Sequence, residues 1–222
     1  MARARDDGQG GPGGGRAGEG LLGGSVRRDL ADLNLCHLEF ALDEPDPQDP
    51  LACWSPAVLG EIRAAGRDVL ARMAASPYSL FEIRLPATAA GAAATGHVRD
   101  AAAGTQPRPP RSVEFARAAL FAAWRMADRA PLAARIVFGL TPLEELCLNE
   151  LCPSRVAALA NDPEVVRARW PDRPRLWAML RTAAESGRPA ALQWIHCLGV
   201  SLTERRDRVP SGHGGPRGRP GR

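Results

Sequence analysis

Apolar residues recur at helical spacing in the first part of the chain. Between residues 25 and 43 they form a stripe with charged residues off it, which predicts an amphipathic helix. Ser55 followed by Pro56 is typical of a helix N-terminus, because the hydroxyl caps the first turn and proline fits the first helical position. At residues 81–85 apolar and charged residues alternate, which predicts a short half-buried strand.

The C-terminal half carries a second series of helical patterns. The stretch 112–130 places its apolar side chains on one face, which predicts a long helix. Thr141 and Glu144 have the spacing of a capping box, in which a hydroxyl and a carboxylate satisfy the first backbone amides of a helix. Two further helices are predicted on either side of Gly187.

Three segments lack the large apolar residues that could offset the entropy of ordering. The chain has 23 Gly and 20 Pro, and many of them fall in these segments. The predicted fold class is mostly α: two small helical bodies joined by a flexible linker, with a disordered Gly-rich N-terminus and a basic C-terminal tail. The predicted organisation is disorder over 1–24, helical unit one over 25–85, a linker over 86–111, helical unit two over 112–206 and a disordered tail over 207–222.

The two predicted units resemble each other at an offset of 86 residues. Over 24 aligned positions beginning at Trp54 and Leu140, four residues are identical. Both copies begin with a hydroxyl cap followed by proline. Either a duplicated unit or the general frequency of such helix starts explains the match. Apolar residues coincide in the pairs Ile62/Leu148, Leu70/Val156 and Met73/Leu159.

A duplication makes a geometric prediction. Residues 55–76 and 141–161 would form equivalent helical hairpins related by a pseudo-two-fold axis. One position breaks the pattern, because Leu59 aligns with Glu145 and the second face is less apolar there.

The charge of the chain is concentrated at its C-terminus. All 29 basic residues are Arg, and the formal net charge is +4. The stretch 203–222 holds six Arg and two acidic residues, which leaves 23 of each sign in the rest. A basic tail can make sequence-independent contacts with nucleic acid. The candidate residues for such contacts are Arg205, Arg206, Arg208, Arg217, Arg219 and Arg222.

Several classes of chemistry are excluded or disfavoured. The absence of Lys excludes Schiff-base chemistry and a Walker-type phosphate loop. No apolar run approaches the roughly 18 residues of a membrane span, and no apolar segment of signal-peptide type begins the chain. We therefore expect a cytoplasmic protein without membrane contact.

The cysteines and histidines do not suggest a site. Five Cys without a Cys-x-x-Cys pair are expected to be reduced core thiols instead of zinc ligands. His37 and His196 each adjoin a Cys, and a helical core or boundary position is favoured over a nucleophile–base pair. His97 and His213 fall in the linker and the tail. We expect no enzyme activity, no catalytic or cofactor-binding residues, no metal site and no cofactor.

Short strings in both units resemble the flagellar transcriptional regulator FlhD family. "LNLCHL" at residues 33–38 resembles the family's opening helix, and "LARMAASPYSLFEIRL" at 70–85 resembles its helix and following strand-like segment. "GLTPLEELCLNELCPSRVAALANDPEVV", from Gly139, resembles the same stretch again. The resemblance covers about half of the chain, which is about twice the family's length.

The resemblance implies a small all-helical bacterial protein that forms dimers and activates flagellar promoters with a zinc-carrying partner subunit. A tandem of two units could stand in for that dimer. The family's intersubunit Cys would fall near Phe81 and Arg167, so that link is not carried over. The candidate partner interface comprises Phe81, Arg84, Trp170 and Trp177, although core positions are favoured for most of the five Trp.

Two functions remain open. The first is a non-catalytic regulatory subunit that contacts a DNA-binding partner protein and reaches DNA only within the complex. The second is a helical adaptor or accessory protein of a secretion or flagellar export system with no nucleic-acid role. Both predict another protein subunit as partner, and the chain itself would be a pseudo-dimeric monomer or a homodimer.

Overall fold

The computed structural model describes residues 23–43, 45–85 and 109–207, without the side chains of 196, 200 and 202–207. This part of the chain is mostly helical, which confirms the predicted fold class. The disorder predicted for 1–24, 86–111 and 207–222 falls mainly outside it. In chain order the elements are α1 Gly24–Asp43, α2 Pro56–Ala64, α3 Arg67–Ala74, β1 Phe81–Ile83, α4 Pro110–Arg129, α5 Pro131–Phe138, α6 Pro142–Glu150, α7 Pro153–Leu159, β2 Val166–Ala168, α8 Pro174–Ser186 and α9 Pro189–Asp207.

The helix ends follow the predicted signals. Ser55 caps α2, its hydroxyl accepting a hydrogen bond of 3.3 Å from the amide of Val58. Thr141 and Glu144 form the complete capping box of α6. The helices α5 and α8 end at Gly139 and Gly187, whose φ angles of 73° and 65° are left-handed and suit glycine.

The sheet joins the two halves of the chain. Strand β1 pairs antiparallel with β2, so that Phe81 lies opposite Ala168, Glu82 opposite Arg167 and Ile83 opposite Val166. Strand β2 was not predicted from the sequence, although residues 166–170 alternate apolar and charged positions in the same way as residues 81–85. Strand β1 was predicted as half-buried, but all three of its residues are buried.

The two segments pack against each other, since each of the two cores draws residues from both. One core combines α1 and β1 with α4 and α5, and the other combines α1, α2 and α3 with α8. The reason is the burial of β1 on both faces. A strand buried on both faces must be covered from two sides, and α1 to α3 alone do not provide that cover.

Most elements of the two units repeat at a nearly constant offset, whereas α5 has no helical counterpart in unit one. Helices α1 and α4 both span 20 residues, and α2 and α6 both span nine. Each pair is 86 residues apart, whereas the two strands are 85 apart. Helix α1 contacts α2 and α3, and α4 correspondingly contacts α6 and α7. Buried positions of the long helices coincide at Leu30/Ala116, Asn34/Leu120, His37/Ala123 and Ala41/Ala127.

Equivalent positions do not always carry equivalent chemistry. Asn34 on α1 is fully buried, and its Nδ2 donates to the carbonyl oxygens of Ala74 and Tyr78 at 3.0 and 2.9 Å. Its Oδ1 accepts from the amide of Leu80 at 2.8 Å. Asn34 therefore holds the turn that leads into β1. The equivalent Leu120 of α4 is an apolar core residue.

Candidate interaction surfaces

The centre of the sheet is an ion cluster between equivalent residues of the two units. Arg167 Nε donates to Glu82 Oε1 at 2.7 Å, and Arg84 Nη2 lies 3.4 Å from Glu82 Oε2. The Glu82 side chain is only 10% exposed, so two arginines compensate a nearly buried carboxylate. Glu82 is thus fixed by contacts from both units, as a residue on an intersubunit axis would be.

Hydrogen bonds flanking the sheet are related by the same symmetry. The amide of Arg84 donates to Val165 O at 2.8 Å, and the amide of Arg169 donates to Leu80 O at 3.1 Å. At an offset of 85, Arg84 corresponds to Arg169 and Leu80 to Val165, so each bond is the symmetry mate of the other. Both bonds continue the antiparallel ladder, and every antiparallel pair of strands has this local two-fold relation. A pseudo-two-fold arrangement of the two units requires such a relation at its centre.

The Arg169 side chain breaks this symmetry. It is fully buried, and its Nη1 donates to Ser79 O at 3.1 Å and approaches Val137 O at 3.4 Å. Burial lowers the pKa of Arg169 to about 10. A Cβ at Gly139 would collide with the guanidinium, so the glycine both ends α5 and admits this side chain. Its equivalent Arg84 instead stays partly exposed beside Glu82.

The predicted partner interface requires correction. Phe81 and Trp177 are completely buried and Trp170 is 8% exposed, so these three side chains belong to the cores and cannot anchor a separate partner. Trp177 Nε1 donates to the carbonyl of Trp170 at 3.0 Å, which ties α8 to the loop that precedes it. Arg84 is 24% exposed, but it lies on Glu82.

The candidate nucleic-acid contacts lie at or beyond the end of the described chain. Arg205 and Arg206 belong to the last turns of α9, where only the backbone is described. The other four candidates, Arg208, Arg217, Arg219 and Arg222, fall outside the described residues.

The five cysteines are all free, but they are not all core thiols. Only Cys147 is buried, whereas Cys36, Cys53, Cys152 and Cys197 are exposed. Burial and nearby acidic residues raise the pKa of Cys36, whereas a hydrogen bond with Ser154 lowers the pKa of Cys152. The expectation of core thiols therefore fails for four of the five, because Cys36 and Cys197 lie on exposed positions of α1 and α9, and Cys53 and Cys152 lie between helices.

His37 occupies the predicted core position. It is fully buried, its Nε2 lies 3.1 Å from the carbonyl oxygen of Leu51, and its ring stacks on Phe115. The side chain of His196 is not described, and His97 and His213 lie outside the described residues. The described residues contain no group of His, Cys, Asp and Glu arranged to hold a metal ion.

Unit two exposes several large apolar side chains. Leu143 and Leu146 of α6 are 61% and 55% exposed, and they lie one turn apart on the same side of the helix. Leu132 of α5 is also exposed. The equivalent positions of unit one carry Asp46, Ala57 and Gly60. Only unit two therefore presents large apolar groups at these outward positions.

The C-terminal hairpin α8–α9 forms a second apolar surface, which was missed from the sequence. A groove of about 490 Å³ is lined by Leu176, Met179 and Leu198, with polar residues at 172, 173 and 175. Trp194, one turn before Leu198 on α9, is 61% exposed. The available signal was the run 189–201, which lacks any Asp, Glu or Arg and could not be assigned to one buried face.

None of the helices that the structure describes combines the length and apolar character needed to cross a bilayer. In comparisons with known proteins, no family model, curated protein or solved structure matches this chain.

Proposed function

We propose that the chain is a non-catalytic regulatory subunit that acts through protein–protein contacts with a DNA-binding partner, in the manner of a flagellar transcriptional activator subunit. The two units would be copies of one ancestral subunit, so that a single chain replaces a dimer. Any contact with DNA would be made within the complex. The chemistry assembled in the described residues supports binding, since it offers apolar surfaces and structural ion pairs.

One observation carries this proposal: the reciprocal pairing of two equivalent helical units about Glu82 and Arg167. A dimeric regulator of the family that the sequence resembles would need such an interface between subunits. The short strand, the ion cluster and the paired amide bonds of Arg84 and Arg169 supply it within one chain. Covalent linkage also gives the two units a high effective concentration for each other.

The partner would bind the exposed leucines of α6. Leu143 and Leu146 are large apolar groups in water, and clustered side chains of this kind are typical of protein–protein contacts. The same helix carries Glu144, Glu145 and Glu150 and no basic residue, so basic groups on the partner would complement it. Because unit one has Ala57 and Gly60 instead, one partner is expected for each chain.

Matched variants test this surface. The double variant Leu143→Glu/Leu146→Glu should lose the partner protein in an affinity capture from the source cell, with proteins identified by mass spectrometry. The variant Ala57→Glu/Gly60→Glu makes the same charge change at the equivalent exposed positions of unit one and should retain it. Loss of the partner from both variants, or from neither, would contradict a site on α6.

The captured partner then decides the regulatory role. The purified complex should bind promoter DNA, with an affinity that falls steeply as salt rises because phosphate contacts release counterions. Fluorescence anisotropy of labelled promoter and scrambled duplexes at several salt concentrations measures this. A complex that binds neither the promoter nor the scrambled duplex would contradict the regulatory proposal.

The alternative, an adaptor of a secretion or flagellar export system, is favoured by the charge distribution. Outside the stretch 203–222 the chain carries 23 Arg and 23 acidic residues, and a dedicated DNA-binding surface is usually strongly basic. A specific partner that binds α6, in a complex that has no affinity for DNA, would support the adaptor function.

A further inference from the structure

The outer face of α9 carries a projecting side chain and a recess side by side. Trp194 projects into solvent, and Leu198 lines the apolar groove between α8 and α9. Four residues along a helix correspond to about 6 Å, so the projection and the recess are close neighbours on one surface. A projection beside a recess is the arrangement that a self-complementary surface about a two-fold axis needs.

Helix α9 is held firmly enough to present this surface. Gly199 packs against the Trp170 ring so closely that a Cβ would collide with it. Tyr78 Oη lies 3.9 Å from Cys197 Sγ, and Ile195 is buried against the body. Gly199 and Ile195 thus face the body, whereas Trp194 is exposed.

We infer that two copies of this chain associate through α9, each placing its Trp194 in the groove of the other. A two-fold axis crossing α9 near residue 196 brings Trp194 of one copy onto Leu198 of the second, and the same contact forms in reverse. Such isologous pairing is the commonest route to a closed dimer. The association goes beyond the proposed function and does not depend on it.

The charged residues around the groove favour an aromatic side chain such as Trp194 of a second copy. Arg173 and Arg175 stand at its rim together with Asp172, and arginine over an indole face is a favourable cation–π arrangement. The run 189–201 contains no carboxylate or guanidinium, so two copies of α9 can meet without burying an ionised side chain of that run. A tryptophan at the centre of such a contact would dominate its free energy.

Sedimentation equilibrium of the full chain tests the inference. The wild type should sediment at about twice its 23.7 kDa mass at micromolar concentration. Trp194→Ala removes the projection and Met179→Arg obstructs the groove, and each should weaken self-association at least about tenfold. Both side chains are exposed, and circular dichroism will show that the variants remain folded. Leu146→Ala, an exposed apolar change on α6, should leave the dimer intact.

A mixture of the two variants provides the decisive comparison. The Trp194→Ala chain keeps an open groove, and the Met179→Arg chain keeps its tryptophan, so together they can form one of the two contacts. The mixture should associate more strongly than either variant alone. A monomeric wild type, an unchanged dimer in Trp194→Ala, or no association in the mixture would each overturn the inference.

Discussion

Units one and two share their helix spacing but differ at the face that the C-terminal hairpin covers. In unit one, Val58 and Leu59 of α2 are buried in the core that α8 completes. Their equivalents in unit two are Glu144 and Glu145, and they are only partly buried. After β2, helix α8 packs over α2 and α3 of unit one, and no corresponding helix among the described residues packs over α6. The position that lacks a cover carries carboxylates, so the sequence of each unit follows its environment.

Glu144, at the position of Val58 in unit one, also joins the two units. Glu144 Oε2 accepts from the amide of Thr141 at 2.7 Å, which completes the capping box of α6. Its Oε1 accepts from the amide of Leu85 at 3.0 Å, at the end of β1. A position that is apolar in unit one therefore bridges the two units from unit two. The two units therefore share helix spacing but differ in side-chain chemistry at this position.

Truncation at equivalent strand positions should produce the largest effect. Phe81→Ala removes a fully buried ring that contacts Phe115 and Phe138, and it should lower the free energy of unfolding by about 3–5 kcal/mol. Val166→Ala at the equivalent position removes less volume and should cost about 2 kcal/mol. Urea denaturation measures both. Losses below about 1 kcal/mol for both would mean that the sheet does not hold the units together.

Replacing the buried Asn34 of α1 by the residue type that unit two carries should lower the free energy of unfolding. Asn34→Leu installs the residue type of the equivalent Leu120 but leaves three backbone groups without their hydrogen-bond partner. Each such group costs about 1–3 kcal/mol, so we expect a loss of about 3 kcal/mol or more. Urea denaturation will measure the loss, and Leu120→Met is the control for a change of side-chain shape. A neutral Asn34→Leu variant would show that the turn before β1 is held by other contacts.

The two capped helices allow a finer comparison. Ser55→Ala and Thr141→Ala should each cost about 1 kcal/mol, because each removes an N-cap hydroxyl. The loss should be larger for Thr141, whose removal also disturbs the Glu144 carboxylate that reaches Leu85. Thermal unfolding of both variants measures the difference. A larger loss for Ser55 would contradict a bridging role for Glu144.

The rates of cysteine labelling should differ between the two units, and this comparison needs no substitution. Cys152 of unit two is exposed and its pKa is lowered, whereas the pKa of the exposed Cys36 of unit one is raised. The thiolate is the reactive form, so iodoacetamide should label Cys152 faster at neutral pH. Buried Cys147 should be slowest. Mass spectrometry of timed samples gives the rates, and faster labelling of Cys36 would reverse the assignment.

Local signals in the sequence were sufficient for most of the helices. The caps at Ser55 and Thr141 and the glycines at 139 and 187 act on their own turns, so their consequences could be predicted without tertiary information. The pairing of β1 with β2 could not, since it joins positions more than 80 residues apart.

The surface was harder to predict than the fold. Trp170 precedes a Pro-rich loop that suggested exposure, yet its positive φ of 56° turns the ring inward against Gly199. Trp194 lies in an uncharged helical run that suggested burial, yet it is 61% exposed. Exposure depends on which elements meet in three dimensions, and the composition of a short segment does not determine this.

The most direct test of the central claim cuts the covalent link between the two units and asks whether they stay associated. A specific protease site inserted between residues 97 and 98 allows the chain to be cut between β1 and α4. After complete cleavage, size-exclusion chromatography with light scattering should find both fragments together, eluting as the uncut chain does, because β1–β2 pairing and the shared cores persist. Fragments that separate under native conditions would show that the units do not form one pseudo-two-fold body.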